Sequence, residues 1–250
     1  MSYITMKYQS AALGRSVTFE MQMPESGERP SKTLFLLHGY TMSGFYWLPQ
    51  GLAEKYGFAV VIPSGENSFW LDWRSTGHKY CTFVGKELPD LVYRTFGLAD
   101  SARDTYIMGF SMGGFGALHT ALAYPERFGK AAAMSSALIV HEVAGMKPGY
   151  SNGHANYEYY LECFGEPSGV LKSDANPETL VDRLLKNGIK LPEIYMSCGT
   201  EDFLLENNRE FHRFLEDRQV KHEYYESPGT HDFTFWNEYA ARFTEMMFSR

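Results

Sequence analysis

Gly109-Phe110-Ser111-Met112-Gly113 constrains this chain more than any other feature. A continuous apolar run, Thr105 to Phe110, leads into it, and a helical pattern, Met112 to Ala123, leads out of it. A strand that turns sharply into a helix at a serine is a nucleophile elbow. Such a turn holds the serine in a strained backbone conformation. Bulky residues two positions to either side would collide with the adjoining strand and helix, so Gly109 and Gly113 are small where they must be. The five-residue pattern alone arises by chance in about one such chain in six, so the flanking elements carry the argument. On the helical side, Ala117, Leu118, Ala121 and Leu122 share one face before Pro125 ends the run. The competing reading is a glycine-rich turn that merely lets strand and helix approach closely.

The elements around this turn alternate. Residues 3 to 8 and 16 to 23 alternate polar and apolar side chains around Gly14 and read as an antiparallel edge hairpin. Pro24 to Lys32 is a polar loop carrying Gly27 and Pro30. Thr33 to Leu37 and Phe58 to Ile62 are apolar runs suited to buried parallel strands, with a helical Leu48 to Tyr56 between them. Leu88 to Phe96 is helical and Lys130 to Ser135 a strand. Pro177 to Lys186 is a helix with Asp174 and Asn176 as caps. Ile194 to Cys198 and His222 to Glu226 are strands separated by a helical Phe211 to Asp217, and Phe235 to Phe248 is an amphipathic closing helix. The expected fold class is α/β: a mainly parallel central sheet with helices on both faces and an N-terminal antiparallel edge hairpin. The 250 residues, 44% hydrophobic and 21% charged, fit a single domain spanning 1–250. From Leu138 to Pro177 the pattern weakens and becomes rich in Gly, Tyr and Asn. This predicts a small cap-like excursion at 138–177 over the strand ends.

A serine hydroxyl is a weak nucleophile at neutral pH, so the elbow needs a histidine and an orienting carboxylate from later in the chain. Asp202 lies in the loop after Ile194 to Cys198, and His231 lies in the loop after His222 to Glu226. Ser111, Asp202 and His231 are therefore the candidate catalytic residues, in the order serine, acid, histidine. Glu201 competes with Asp202 but reads as a solvated loop acid, and Asp232 is too close to His231 in sequence to orient it. The other histidines fit less well: His119 is inside a helix, His212 and His222 are surface or sheet positions, and His78, His141 and His154 lie in loops. His38, at a strand end before a glycine, reads as a loop anchor. Charge built on a carbonyl oxygen needs fixed donors, and the backbone N–H groups of Met112 and Tyr40 are the candidates for an oxyanion hole. Trp47, Trp70 and Trp73, with the neighbouring Phe45, Tyr46 and Phe69, are candidates to wall a substrate pocket, against the alternative that they pack beneath long loops.

Composition excludes several other classes. Twenty-three basic against thirty acidic residues give a net charge of −7, which argues against a nucleic-acid partner. Cys81, Cys163 and Cys198 fit neither a disulfide framework nor a thiolate site and read as reduced thiols, so a cytoplasmic location is expected. No apolar run reaches the roughly 20 residues that span a bilayer, and no membrane association is expected. Metal-binding and nucleotide-binding motifs are lacking, so neither a metal nor a cofactor is called for.

The segments Leu-Leu-His-Gly-Tyr-Thr at 36–41, Gly-Phe-Ser-Met-Gly-Gly-Phe-Gly-Ala at 109–117, Cys-Gly-Thr-Glu-Asp at 198–202 and Gly-Thr-His-Asp at 229–232 resemble the putative esterase family of α/β-hydrolases, of the esterase D and tributyrin esterase type. The likeness runs from about Thr33 to the C-terminus. It implies an α/β-hydrolase fold without a large lid, a small-molecule ester substrate and a Ser111, Asp202, His231 triad. The expected activity is hydrolysis of short-chain acyl esters through an acyl-enzyme, with acetyl esters of sugars and feruloyl esters within its range. A thioesterase of the S-formylglutathione hydrolase kind is the alternative, although the His-Gly-Tyr-Thr loop is more similar to the tributyrin esterase branch. A non-catalytic binding module on the same fold is the alternative outside enzymes. The resemblance also implies homo-oligomers.

Overall fold

In the computed structural model, which describes residues 2–25 and 29–249, the N-terminal alternation folds as a hairpin. Strands β1 (Ser2–Ser10) and β2 (Arg15–Met23) pair antiparallel in continuous register from Ser2 opposite Met23 to Ser10 opposite Arg15. Ile4, Met6 and Tyr8 turn to the core face while Thr5, Lys7 and Gln9 stay exposed, the period-two pattern of a half-buried edge. Gly27, expected in the loop that follows, lies outside the described residues.

The apolar runs form β3 (Lys32–Leu37), β4 (Phe58–Ile62), β5 (Thr105–Phe110), β6 (Lys130–Met134) and β7 (Glu193–Gly199), and the half-buried His-Glu-Tyr-Tyr-Glu-Ser segment forms β8 (His222–Ser227). With the hairpin they make one eight-stranded sheet in the order β1-β2-β4-β3-β5-β6-β7-β8, in which β3 to β8 are mutually parallel. Successive residues serve opposite faces. Phe35, Leu37, Ile107 and Ala133 belong to one apolar cluster, and Leu34, Leu36, Tyr106 and Met108 to the other. The second face is covered by α1 (Leu52–Tyr56) and the closing helix. The first face lies under a helix in three parts: α2 (Tyr80–Thr82), a π turn (Phe83–Glu87) and α3 (Leu88–Phe96). Pro89 has no N–H to give the carbonyl of Gly85, which accounts for the widened turn. Next come α4 (Met112–Ala123), the short α5 (Val140–Ala144) and α6 (Tyr157–Phe164), a 3-10 turn (Pro167–Lys172), α7 (Pro177–Lys186), α8 (Leu205–Asp217) and α9 (Phe233–Phe248). Among the described residues no helix is long and apolar enough to cross a membrane.

Several elements differ from their expected bounds for identifiable reasons. The helix expected over Leu48 to Tyr56 begins only at Leu52, because Gly51 sits at φ 82°, outside helical geometry. Helix α8 begins at Leu205, six residues before the expected Phe211. The polar Asn208 that obscured its apolar stripe is buried, bonding the backbone of Ser136 and the carbonyl of Leu204. Helix α9 begins at Phe233, with Asp232 capping the N–H groups of Thr234 and Phe235. Asn176 caps α7 as expected, whereas Asp174 pairs with Arg183 instead. His141 belongs to α5 rather than a loop and contacts Glu178.

Candidate active site

Strand β5 lies in the middle of the sheet, so the turn at its carboxyl end opens above the centre of the fold. Ser111 occupies that turn at φ 54°, ψ −123°, a left-handed conformation unusual for a residue with a Cβ. The strain is held from both sides: Ser111 N–H donates to Met134 O at 2.9 Å, and Ser111 O accepts from Ala137 N–H at 3.0 Å and Phe115 N–H at 3.1 Å. Sterics enforce the two glycines. A Cβ on Gly109 would lie 2.1 Å from Gly113 O, and one on Gly113 would lie 2.3 Å from Leu37 O and 2.6 Å from His38 O. All three obstacles are backbone and cannot swing away. Gly113→Ala is therefore expected to destabilise the fold by about 3 kcal/mol or more, read as a fall in the urea midpoint. Gly169→Ala, where an added Cβ meets nothing within 4 Å, is the control and should stay within about 0.5 kcal/mol of wild type.

The three residues expected to work together meet above this turn. Ser111 Oγ is 2.9 Å from His231 Nε2, and His231 Nδ1 is 2.9 Å and 3.1 Å from the two Asp202 carboxylate oxygens. With Nδ1–H donating to the carboxylate, Nε2 is left as the acceptor for the serine hydroxyl. The Asp202 side chain is 0% exposed and that of His231 is 19% exposed. Burial opposes ionisation of Asp202. The hydrogen bonds from His231 and from Leu204 N–H, the latter 2.9 Å, outweigh it and hold the carboxyl below its ordinary range. The imidazole lies against two rings, Trp236 at 4.9 Å and perpendicular, and Phe203 at 4.6 Å.

Glu201 is the exposed loop acid expected, and it also has a structural part. Its carboxylate accepts from Gly229 N–H, its own N–H donates to Gly229 O at 3.0 Å, and Thr200 N–H donates to Ser227 O at 3.0 Å. These bonds tie the loop of Asp202 to the loop of His231, and the bond from Gly229 N–H chiefly accounts for a Glu201 carboxyl below its ordinary range.

His38 anchors its loop, as expected. Its Nδ1 meets Gly39 O at 2.8 Å and its Nε2 accepts from Gly65 N–H at 2.9 Å, while burial holds its pKa below that of ordinary imidazole. The loop this anchors brings Gly39 against Ser111, with Tyr40 and Thr41 beside it. Thr41, at φ 64°, is fixed by its N–H on Asn67 Oδ1 at 2.7 Å. Met112 opens α4, where the first N–H groups have no intrahelical acceptor.

The tryptophans are a correction. None of Trp47, Trp70 and Trp73 lines the cleft at Ser111. Trp47 packs edge-on to Phe110, Trp70 is fully buried against His38, and Trp73 stacks on His78. Of their aromatic neighbours, Phe69 does reach the cleft, whose volume is about 630 Å³. Its other walls come from Tyr40, Phe203 and Trp236, and from Tyr150, Asn152 and Tyr160 of the 138–177 segment. The richness of that segment in Tyr and Asn was the legible signal for the last three. Phe203 and Trp236 carried none beyond their proximity to Asp202 and His231.

A sequence profile described as putative esterase matches residues 10–247. An acetyl esterase of Caldicellulosiruptor saccharolyticus is 40% identical over 220 residues, covering 86% of this chain and 83% of that protein. Among solved structures, the substrate-bound fluorophosphonate-binding serine hydrolase F of Staphylococcus aureus matches with a TM-score of 0.86 at 26% identity over 98% of both chains. An S-formylglutathione hydrolase of the same species matches at 0.83 and 25%, again over 98% of both. With a profile spanning nearly every residue, a relative this similar along its length and a mainly parallel sheet that ends in a serine turn at its centre, the chain belongs to the putative esterase family and has the α/β-hydrolase fold.

Proposed function

We propose that the chain is a serine carboxylesterase for short-chain acyl esters, working as one domain over 1–250 with residues 138–177 as a small cap beside the cleft. Ser111 Oγ attacks the ester carbonyl as its proton passes to His231 Nε2, and Asp202 holds the imidazolium that forms. The N–H groups of Met112 and Tyr40 stabilise the oxyanion. The tetrahedral intermediate then collapses, the alcohol leaves with the proton from Nε2, and water repeats the sequence on the acyl-enzyme to release the acid. General-base action contributes about 10² to 10⁴ in rate and each oxyanion donor about 10² to 10³. The observation that carries this reading is the continuous hydrogen-bonded line from Ser111 through His231 to the buried Asp202.

The acetyl esterase relative supports a short acyl group, and the His-Gly-Tyr-Thr loop supports the tributyrin esterase branch. Three separate, buried thiols support a cytoplasmic setting, and assembly into homo-oligomers rests on the family resemblance. The test is fluorophosphonate labelling together with hydrolysis of aryl esters from acetate to octanoate and of S-formylglutathione. Labelling of wild type and a kcat/KM that falls beyond butyrate are expected. Neither labelling nor turnover would leave a binding module. A marked preference for S-formylglutathione over the matched oxygen ester would make the enzyme a thioesterase.

A further inference from the structure

Six large apolar side chains are substantially exposed among the described residues, and only one of them, Phe203, borders the cleft that holds Ser111. Its ring is 69% exposed and stands 4.6 Å from the imidazole of His231. The side of the scissile bond it serves follows from the chemistry, and this step rests on the esterase reading above. A general acid must lie within hydrogen-bond reach of the atom it protonates, so the leaving oxygen passes beside His231 Nε2. The alcohol attached to that oxygen then lies along the imidazole, where Phe203 forms the outer wall. The backbone that carries the ring is held in place. Phe203 lies between Asp202, bound to His231, and Leu204, whose N–H is bound to Asp202. An aromatic face left in water beside a reacting centre gains most from covering a second flat or puckered ring, which acyclic alcohols do not have. The residues that line the rest of the cleft include the polar Glu142, Asn152 and His154.

We infer that Phe203 is the platform for the leaving group, and that the preferred substrates are esters of ring-bearing alcohols, a sugar or an aryl alcohol. The experiment compares kcat/KM for ethyl acetate, phenyl acetate and an O-acetylated methyl xyloside in wild type, Phe203→Ala and Phe203→Trp. In Phe203→Ala the ratio of either ring ester to ethyl acetate is expected to fall about tenfold, mainly through KM, and Phe203→Trp should restore it. A greater loss on the xyloside identifies a sugar, and a greater loss on phenyl acetate an aryl alcohol. An unchanged ratio overturns the inference, because Phe203 would then act only through His231. So would a changed ratio of ethyl butyrate to ethyl acetate, measured on the same three proteins, which would put the ring on the acyl side. A wild-type enzyme inert on every ester would instead overturn the esterase reading, and the platform with it.

Discussion

Ser111→Ala is expected to lower kcat by about 10⁶-fold while leaving the folded chain intact. The size follows from cooperation: without the hydroxyl, His231 has no proton to take and Asp202 no imidazolium to hold, so one deletion silences all three. About 10³ to 10⁴ over the reaction in water should persist from binding and from the Met112 and Tyr40 N–H groups proposed as oxyanion donors. The fold should survive because Ser111 Oγ bonds only to His231 Nε2, while the backbone bonds that hold the turn involve no side chain. Alanine keeps the Cβ and meets the same strain at φ 54°, so the urea midpoint should move by no more than about 0.5 kcal/mol allows. Single-turnover kinetics, with unfolding measured on the same preparation, check both halves. A variant that kept more than a few per cent of wild-type kcat would place the nucleophile elsewhere.

Asp202→Asn should cost about 10⁴ in kcat with little change in KM. Asp202 does not line the cleft, so substrate binding has little to lose. What changes is the imidazole. An asparagine can turn its amide N–H toward Nδ1, stabilising the tautomer that carries its proton on Nε2, which can no longer accept from the serine. The same residue links activity to acid stability. Its carboxyl is held below the ordinary 3.8, so ionised Asp202 stabilises the fold above that value, and the contribution is lost as pH falls through the lowered one. The stability difference between wild type and Asp202→Asn should therefore narrow as pH drops below about 4, measured by urea unfolding across pH 3 to 7. A difference that stayed constant over that range would mean the carboxylate is not held by these bonds.

Much of this site was legible from local pattern. Ser111 and Asp202 each follow an apolar run long enough to be a buried strand, and His231 follows the half-buried, tyrosine-containing last strand. In a parallel sheet the carboxyl ends of all such strands open on one side, so three positions far apart in sequence had to converge. Helix boundaries were less legible where a polar residue is buried: Asn208 looks like a break in an apolar stripe until its partners, the backbone of Ser136 and Leu204, are known. The aromatic walls were least legible. Phe69 and Trp70 are neighbours with nearly equal φ, 53° and 55°, yet one ring faces the cleft and the other is fully buried beneath His38.

Sequence alone therefore determined the fold class, the elbow and its two glycines, and the residues that meet there, because strand burial, turn sterics and chain order are local or topological properties. Tertiary structure alone decided which rings line the cleft, that Glu201 ties the two loops together, and that Phe203 stands exposed beside His231. The path of a loop is set by bonds between distant segments, such as Gly65 to His38 and Thr41 to Asn67, and no local periodicity records them.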